Sequence, residues 1–351
     1  MDLNHLEDLT QMDPENMLAE IDGLPEQLET AWNLGLSQSL PQMSPVNLMI
    51  VAGMGGSAIG GDLLAGVVTD RSPVPVIVQR DYGLPAYANS RETLAVISSH
   101  SGNTEESLSA LEAALQNHCQ IVAIATGGEL KQRADAAGIP CWTFEHAGQP
   151  RAAVGFSFGL LLALMVRLGL VSDPSEEVNE AIRGMREQKE FLTASMPVHQ
   201  NPAKRMAGQM VGRDVTIFGA GHLAPAARRW KTQINELAKA QAAFESLPEA
   251  DHNTLAGSCN PEKVLEMAFK VFLQSESDHP RNTLRSNLTR QSFMQQGIST
   301  DFYRAAGDSR IAQMWSAVQF GDYAAYYLAL AYDTDPTAIA PISDLKQKMS
   351  R

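Results

Sequence analysis

The chain has 351 residues, with 27 Lys and Arg against 40 Asp and Glu and a formal charge of −13. That length exceeds one ordinary hydrophobic core and divides naturally into two α/β domains. The acidic balance, with no dense basic tract, argues against nucleic acid as a partner, so an anionic ligand would need a local positive site.

Residues 1–40 read as polar helical segments, punctuated by Asp13-Pro14 and Gly23-Leu24-Pro25. Asp2, Glu7 and Asp8 stand where a leader peptide would be basic and then apolar. Strand and helix patterns then alternate. Asn47–Ala52, Val74–Val78, Leu94–Ser98, Gln120–Ala125 and Cys141–Phe144 read as strands, separated by Gly-, Pro- or Ser-marked turns and helical stretches. This alternation predicts a parallel sheet covered by helices. An apolar helix from Ala152 to Leu170 closes the first domain. Its core, Ala152–Val166, is too short to span a bilayer and reads as a buried helix with small residues on one side, so no membrane partner is expected.

Residues 172–208 are more polar and predict helices that bridge the domains, broken at Pro197 and Pro202. A strand at Asp214–Phe218 runs into Gly219-Ala220-Gly221-His222. Helices are predicted at Ala224–Phe244 and Lys263–Gln274, and a long amphipathic one at Ile311–Ala331. The second half is a degenerate echo of the first: strand, glycine loop, helix. The expected division is an N-terminal helical segment (1–40), a first α/β domain (41–171), a helical bridge (172–208) and a second α/β domain with C-terminal helices (209–351).

The most informative residues are Ser99-His100-Ser101-Gly102-Asn103-Thr104, between a strand and a helical pattern. A hydroxyl-dense turn at a helix start offers free backbone N–H groups, the positive end of the helix dipole and several O–H donors. It has no lysine, unlike a nucleotide P-loop, and suits one phosphate on a small molecule. A second loop, Gly53–Asp62, follows another strand; Gly56 allows close backbone approach and Ser57 adds a hydroxyl. On adjacent parallel strands, both loops would reach one crevice at the carboxyl ends. The plain alternative is a pair of tight strand-to-helix turns. Gly53–Ala58 and Gly219–Ala224 also satisfy G-x-G-x-x-A, and Arg80 could serve a 2′-phosphate. A dinucleotide reading leaves the Ser99–Thr104 turn unexplained.

Four further side chains carry possible chemistry. Glu236 projects away from an apolar face formed by Trp230, Ile234, Leu237 and Phe244; it suits proton transfer, or is an exposed glutamate paired with Lys239. His252, in a polar turn, is a natural proton carrier or a solvent-facing loop residue. Arg151 follows a rigid Gly-Gln-Pro turn and points into a cleft or merely caps a helix. Lys346 reads as a tail lysine. Eight dispersed histidines and Cys119, Cys141 and Cys259 have no metal-ligand or disulfide spacing, so no metal or cofactor is expected, and a reducing cytoplasm fits.

"GMGGSAIGGDLL" with "SSHSGNTEES" resembles the paired loops of sugar isomerase (SIS) domains. With "QPRAAVGFSFG", "WKTQINELAK", "DHN" and "DPTAIAPISDLK" the set resembles the bifunctional phosphoglucose/phosphomannose isomerases, over about residues 45–348. The resemblance implies two SIS domains and interconversion of glucose 6-phosphate, and mannose 6-phosphate, with fructose 6-phosphate. It implies phosphate binding by Gly56, Ser57, Ser99, Ser101 and Thr104, with Glu106 orienting the turn. It implies Glu236 as the base, Arg151 as the stabiliser of the negative intermediate, and His252 and Lys346 in ring opening. It further implies a homodimer with His252 contributed across the interface. His100 and the Ile339 region are where the chain's match to the family is loosest. Rival readings are another sugar-phosphate isomerase, which would often carry an amidotransferase domain, and a non-catalytic sensor, which would usually carry a basic region.

Overall fold

The structure is a computed structural model that describes residues 3, 4 and 11–349. Gly23–Arg183 with Ser309–Ile311 form a first compact unit, and the remaining described residues form the second. A short helix α1 (Met17–Asp22) belongs to the second unit, whereas α2 (Leu24–Ser37) belongs to the first.

In the first unit the chain runs β1 (Leu48–Ala52), α3 (Gly55–Val68), β2 (Val76–Gln79), β3 (Thr93–Ser99), α4 (Glu105–Gln116), β4 (Gln120–Ala125), α5 (Gly128–Ala136), β5 (Cys141–Thr143) and α6 (Val154–Arg167). All five strands pair in parallel, in the order β2-β1-β3-β4-β5. Burial on both faces explains why β3 runs Leu94–Ile97 without a polar residue rather than alternating. One face packs against α4 and α5 through Ile97, Leu111, Ile121 and Leu130. On the other face Gly61 lets α3 close onto Val51 and Val78. Behind α3, helix α6 meets α2 along Gly155, Gly159 and Ala163 against Gln27, Ala31 and Gly35, where any added methyl would overlap the facing helix. The apolar stretch around Ala152–Leu170 is therefore a buried core helix, 14 residues long. Among the described residues no helix is long and apolar enough to cross a membrane.

The second unit follows helix α7 (Ser175–Leu192), within which the boundary between the units falls. It contains α8 (Pro202–Met210), β6 (Asp214–Ala220), α9 (Ala224–Leu237), β7 (Ala242–Leu247), α10 (Glu262–Leu265), β8 (Ala268–Gln274), α11 (Pro280–Gln295), β9 (Ser299–Arg304), α12 (Arg310–Ala331) and α13 (Ala340–Met349). Its four strands are parallel, ordered β7-β6-β8-β9. The α/β class with two helix-flanked parallel sheets is thus observed.

Three expectations for this half are corrected. The helix expected to reach Phe244 stops at Leu237, and Phe244 lies in β7. Lys239 takes a left-handed backbone (φ 51°) beyond the helix end, a position where glycine or asparagine would have signalled the stop. Lys263–Gln274 is a four-residue helix followed by strand β8, because Phe269, Val271 and Leu273 fill one side of a central strand. Arg310–Ala331 is helical, but residues 311–330 are buried all round, so it is a core helix rather than an amphipathic one.

Helix α9 lies between the sheet and α12. Trp230 Nε1 donates to the Ala317 carbonyl at 2.7 Å, and Arg229 forms a two-point ion pair with Asp322 at 3.0 and 2.6 Å. Both charged side chains are almost wholly buried (2% and 4% exposed). Removing one partner strands the other charge in a dry core. Asp322→Ala is therefore expected to lower the unfolding free energy by about 3–5 kcal/mol, measured by urea denaturation. An Arg229→Met/Asp322→Leu double replacement should lose less than the single one, since no lone charge remains. A single-variant loss below about 1 kcal/mol would contradict this account.

Candidate active site

The strand order places its reversal between β1 and β3, and ligands of open parallel sheets bind at such a switch point, outside the carboxyl ends. Ala52 pairs with Ile97, so the chain leaves β1 and β3 side by side. Gly53 packs under the Ser98 carbonyl, where a Cβ would sit 2.7 Å away. The loops carrying Ser57 and Ser99–Thr104 consequently share one crevice.

Within the second loop the hydroxyls converge. Ser99 Oγ donates to Thr104 Oγ1 at 3.0 Å and accepts from the Gly102 N–H at 3.1 Å. Ser101 is exposed, and its Oγ accepts from the Asn103 N–H at 3.2 Å. Thr104 is the N-cap of α4 but does not cap it through its side chain, so its hydroxyl faces Ser99 instead. The first-turn N–H groups of α4 have no acceptor within the helix and point to the same mouth. Glu106 sits half-buried in that first turn, next to Glu105.

The turn is held from behind by residues with no motif of their own. Gly102 has φ 70°, and a Cβ there would lie 1.9 Å from the Gly127 carbonyl oxygen. Leu130 N–H donates to the Gly102 carbonyl at 2.8 Å, Glu129 N–H to Asn103 Oδ1 at 2.9 Å, and Thr126 Oγ1 to the His100 carbonyl at 2.7 Å. The loop after β4 thus clamps the turn after β3. His100 Nε2 and His146 Nδ1 lie 2.9 Å apart, edge-on to the stacked rings of Phe144 and Phe156. Thr126, Gly127, Gly128 and His146 belong to this support. The one sequence signal for it was Gly127-Gly128 directly after a strand.

Arg151 joins the same neighbourhood. It lies in a 3-10 turn, Pro150–Ala152, and is 3% exposed. Gly56 approaches that turn so closely that a Cβ would fall 2.3 Å from the Pro150 oxygen and 3.3 Å from Arg151 Cα. Gln27 fixes the far side, donating to the Ala152 carbonyl at 2.9 Å and accepting from the Gly155 N–H at 2.6 Å. Gly56, Ser57 and Arg151 are therefore brought together by backbone packing, and Ser57 is buried.

Glu236, His252 and Lys346 lie in the second unit. Glu236 is the penultimate residue of α9, half-buried, at the end where the chain turns into β7. His252 ends a 3-10 turn just past the other end of β7. Six residues of strand separate these ends by about 16–20 Å, beyond the reach of one side chain to the other. Lys346 is exposed on α13. Lys239 Nζ donates to the carbonyls of Leu237 and Asp335 at 3.0 and 2.5 Å, linking the Glu236 end of α9 to the segment leading into α13.

The second sheet has its own turn at the matching place, Ser275–His279 between β8 and α11. Here Asp278 folds back: its Oδ2 accepts from the Ser275 N–H at 3.0 Å, and Ser275 Oγ accepts from the Ser277 N–H at 2.9 Å. The carboxylate thus engages the Ser275 N–H of its own turn, and His279 Nδ1 caps α11 by accepting from the Arg281 N–H at 3.1 Å. Among the described residues no cluster of three or more His, Cys, Asp or Glu has a metal-holding arrangement.

A parallel sheet with hydroxyl-bearing loops and a buried arginine near its switch point defines an open α/β fold with a polar crevice at the carboxyl edge. Residues 199–349 match the family model described as the bacterial phospho-glucose isomerase C-terminal SIS domain. The chain is 38% identical to a bifunctional phosphoglucose/phosphomannose isomerase of Caldicellulosiruptor bescii, over 95% of this chain and 99% of that protein. It is 31% identical to a D-glucosamine-6-phosphate 4-epimerase of Sulfolobus acidocaldarius, over 63% of this chain and 67% of that one. Its fold is similar to that of a hypothetical protein from Thermus thermophilus, with a TM-score of 0.75 at 16% identity, over 98% and 93% of the two chains. The chain belongs to the SIS-domain phosphosugar isomerase family that includes the first of these relatives, and is an enzyme of that family.

Inorganic phosphate is expected to bind in the first unit only, one ion per chain by calorimetry. Ser101→Ala or Thr104→Ala should weaken it about tenfold or more, since hydrogen bonds to a charged group are worth about 1.5–3 kcal/mol. Ser277→Ala should leave it unchanged. Two ions per chain, or undiminished affinity in both first-unit variants, would contradict the assignment.

Proposed function

We propose that the chain interconverts glucose 6-phosphate, and mannose 6-phosphate, with fructose 6-phosphate through a cis-enediolate, without a metal. The observation that carries this reading is the gathering of Ser57, Ser99, Ser101 and Thr104 at one carboxyl-edge crevice with Arg151 seated against Gly56. The likeness to the Caldicellulosiruptor bescii enzyme supports the same substrates.

In this reading the non-reacting phosphate is held by those hydroxyls and by backbone N–H groups, which fixes the sugar carbons relative to the reacting groups. His252 and Lys346 open the ring. Glu236 takes the C2 proton and returns it at C1, so one carboxylate serves both halves of the transfer. Arg151 stabilises the charge that develops on O1 and O2, and its burial leaves that charge little screened by water. Glucose and mannose 6-phosphates differ at C2 alone, and the enediolate erases the difference. The separation of Glu236 and His252 at opposite ends of β7 supports a dimer in which each site takes its histidine from the partner, an arrangement two-fold symmetry allows.

A coupled assay with the three hexose phosphates in the presence of a chelator tests the activity. Turnover of glucose 6-phosphate is expected, with solvent deuterium entering the product. No turnover of either aldose phosphate would sink the proposal. The epimerase relative motivates one alternative, inversion at C4 of glucosamine 6-phosphate; detection of that product in place of fructose 6-phosphate would favour it.

Glu236→Gln should reduce isomerisation by roughly 10²–10⁴-fold while phosphate binding persists. Mixed with a strongly impaired His252→Ala chain under subunit exchange, it should give more activity than the two chains measured separately. Failure to recover despite proven heterodimers would place His252 in its own chain's chemistry, or outside it.

A further inference from the structure

The His252 side chain is exposed and makes no hydrogen bond among the described residues, yet the turn that carries it is tightly held. Three consecutive residues divide the work. Ala250 is fully buried in the core formed by Phe218, Leu247, Phe272 and Phe293. Asp251 reaches α11: its Oδ1 accepts from Thr289 Oγ1 at 2.7 Å and its Oδ2 from Arg285 Nη1 at 3.0 Å. Arg285 and Thr289 are four residues apart, on one face of the helix, so a single carboxylate spans them. Its side chain is 9% exposed, and Thr289 is buried. His252 then points outward.

The chain beyond it is held as well. Asn253 Nδ2 donates to Glu249 Oε1 at 2.7 Å, and its Oδ1 accepts from the Thr254 N–H at 2.6 Å. Thr254 Oγ1 in turn donates to Glu245 Oε1 on β7, at 2.9 Å.

We infer that Asp251 is a positioning residue for His252: by tying the turn to Arg285 and Thr289 of α11, it fixes where the imidazole is presented to the sugar ring. The inference rests on the role proposed above for His252. Orientation is worth much in such chemistry, because displacing a catalytic group by about 1 Å can cost on the order of 10²-fold in rate. Asp251 itself donates no proton and touches no substrate. Its carboxylate is consumed by two donors on its own unit.

The test is a double-mutant cycle on the full chain with glucose 6-phosphate. Asp251→Ala is expected to lower kcat about 10–100-fold with KM within about twofold. Asp251→Asn, which keeps an oxygen acceptor for Thr289, should recover a large part of that loss. Added to His252→Ala, Asp251→Ala should cost nothing further, because a misplaced group and a missing one are equally absent. A merely structural residue would multiply its loss with that of His252→Ala, and that outcome overturns the inference. Wild-type turnover in Asp251→Ala, with His252→Ala impaired, overturns it and leaves the isomerase reading standing. Wild-type turnover in His252→Ala removes the histidine's role and the inference with it. Should Asp251→Ala fail to fold, Thr289→Val removes one of the two bonds, and the same non-additivity decides.

Discussion

The approach of the turn after β3 to the loop after β4 governs the first unit. Gly102 leaves no room for a side chain against Gly127, and the loop after β4 instead donates the Leu130 and Thr126 N–H groups to the Gly102 and His100 carbonyls. That contact presents Ser99, Ser101 and Thr104 in a curved array rather than a loose loop. It also aims the first N–H groups of α4 at the crevice, where an anion meets both hydrogen-bond donors and the positive end of a helix. A second close approach, Gly56 against Pro150, brings Arg151 to the neighbouring loop. Packing of this kind holds the turn's donors in place before any partner arrives, so they need no reordering to meet one.

The two units share a strand order around their switch points but differ in what fills them. In the first, a glycine turn carries Ser101 exposed beside Ser99 and Thr104. In the second, Asp278 supplies its own carboxylate to the corresponding turn. The second unit instead carries Glu236 near a helix end and His252 in the turn past β7. A fold that repeats need not repeat its chemistry, since function resides in the loops that the sheet displays.

Burial of charge recurs as a device for holding α9. Arg229 and Asp322 cross from α9 to α12 with both charges dry, and Trp230 adds a hydrogen bond to the same helix. Helix α9 is thereby fixed in register along its length, and Lys239 anchors its far end to the Asp335 carbonyl. Glu236, one residue inside that end, stands on a rigid element rather than on a free loop. For a group proposed to move a proton between two adjacent carbons, such rigidity keeps the carboxylate within reach of both.

Much was legible in the chain by itself. The alternation of apolar strands with glycine-marked turns announced a parallel sheet, since its period and punctuation are local properties. The Ser99–Thr104 turn was legible for the same reason: hydroxyls and a glycine between a strand and a helix have few structural meanings. The second half was less so. Strand β8 and the short α10 read together as one helix, because a short, mostly apolar segment has no period that excludes it, and only pairing with β6 and β9 makes it a strand. The end of α9 was hidden because Lys239 adopts a backbone that sequence rules assign to glycine. The supports of the site, from Thr126 to His146 and from Gln27 to Arg285, are distant along the chain from what they hold. Their roles exist only as tertiary contacts, so tertiary structure alone could decide them.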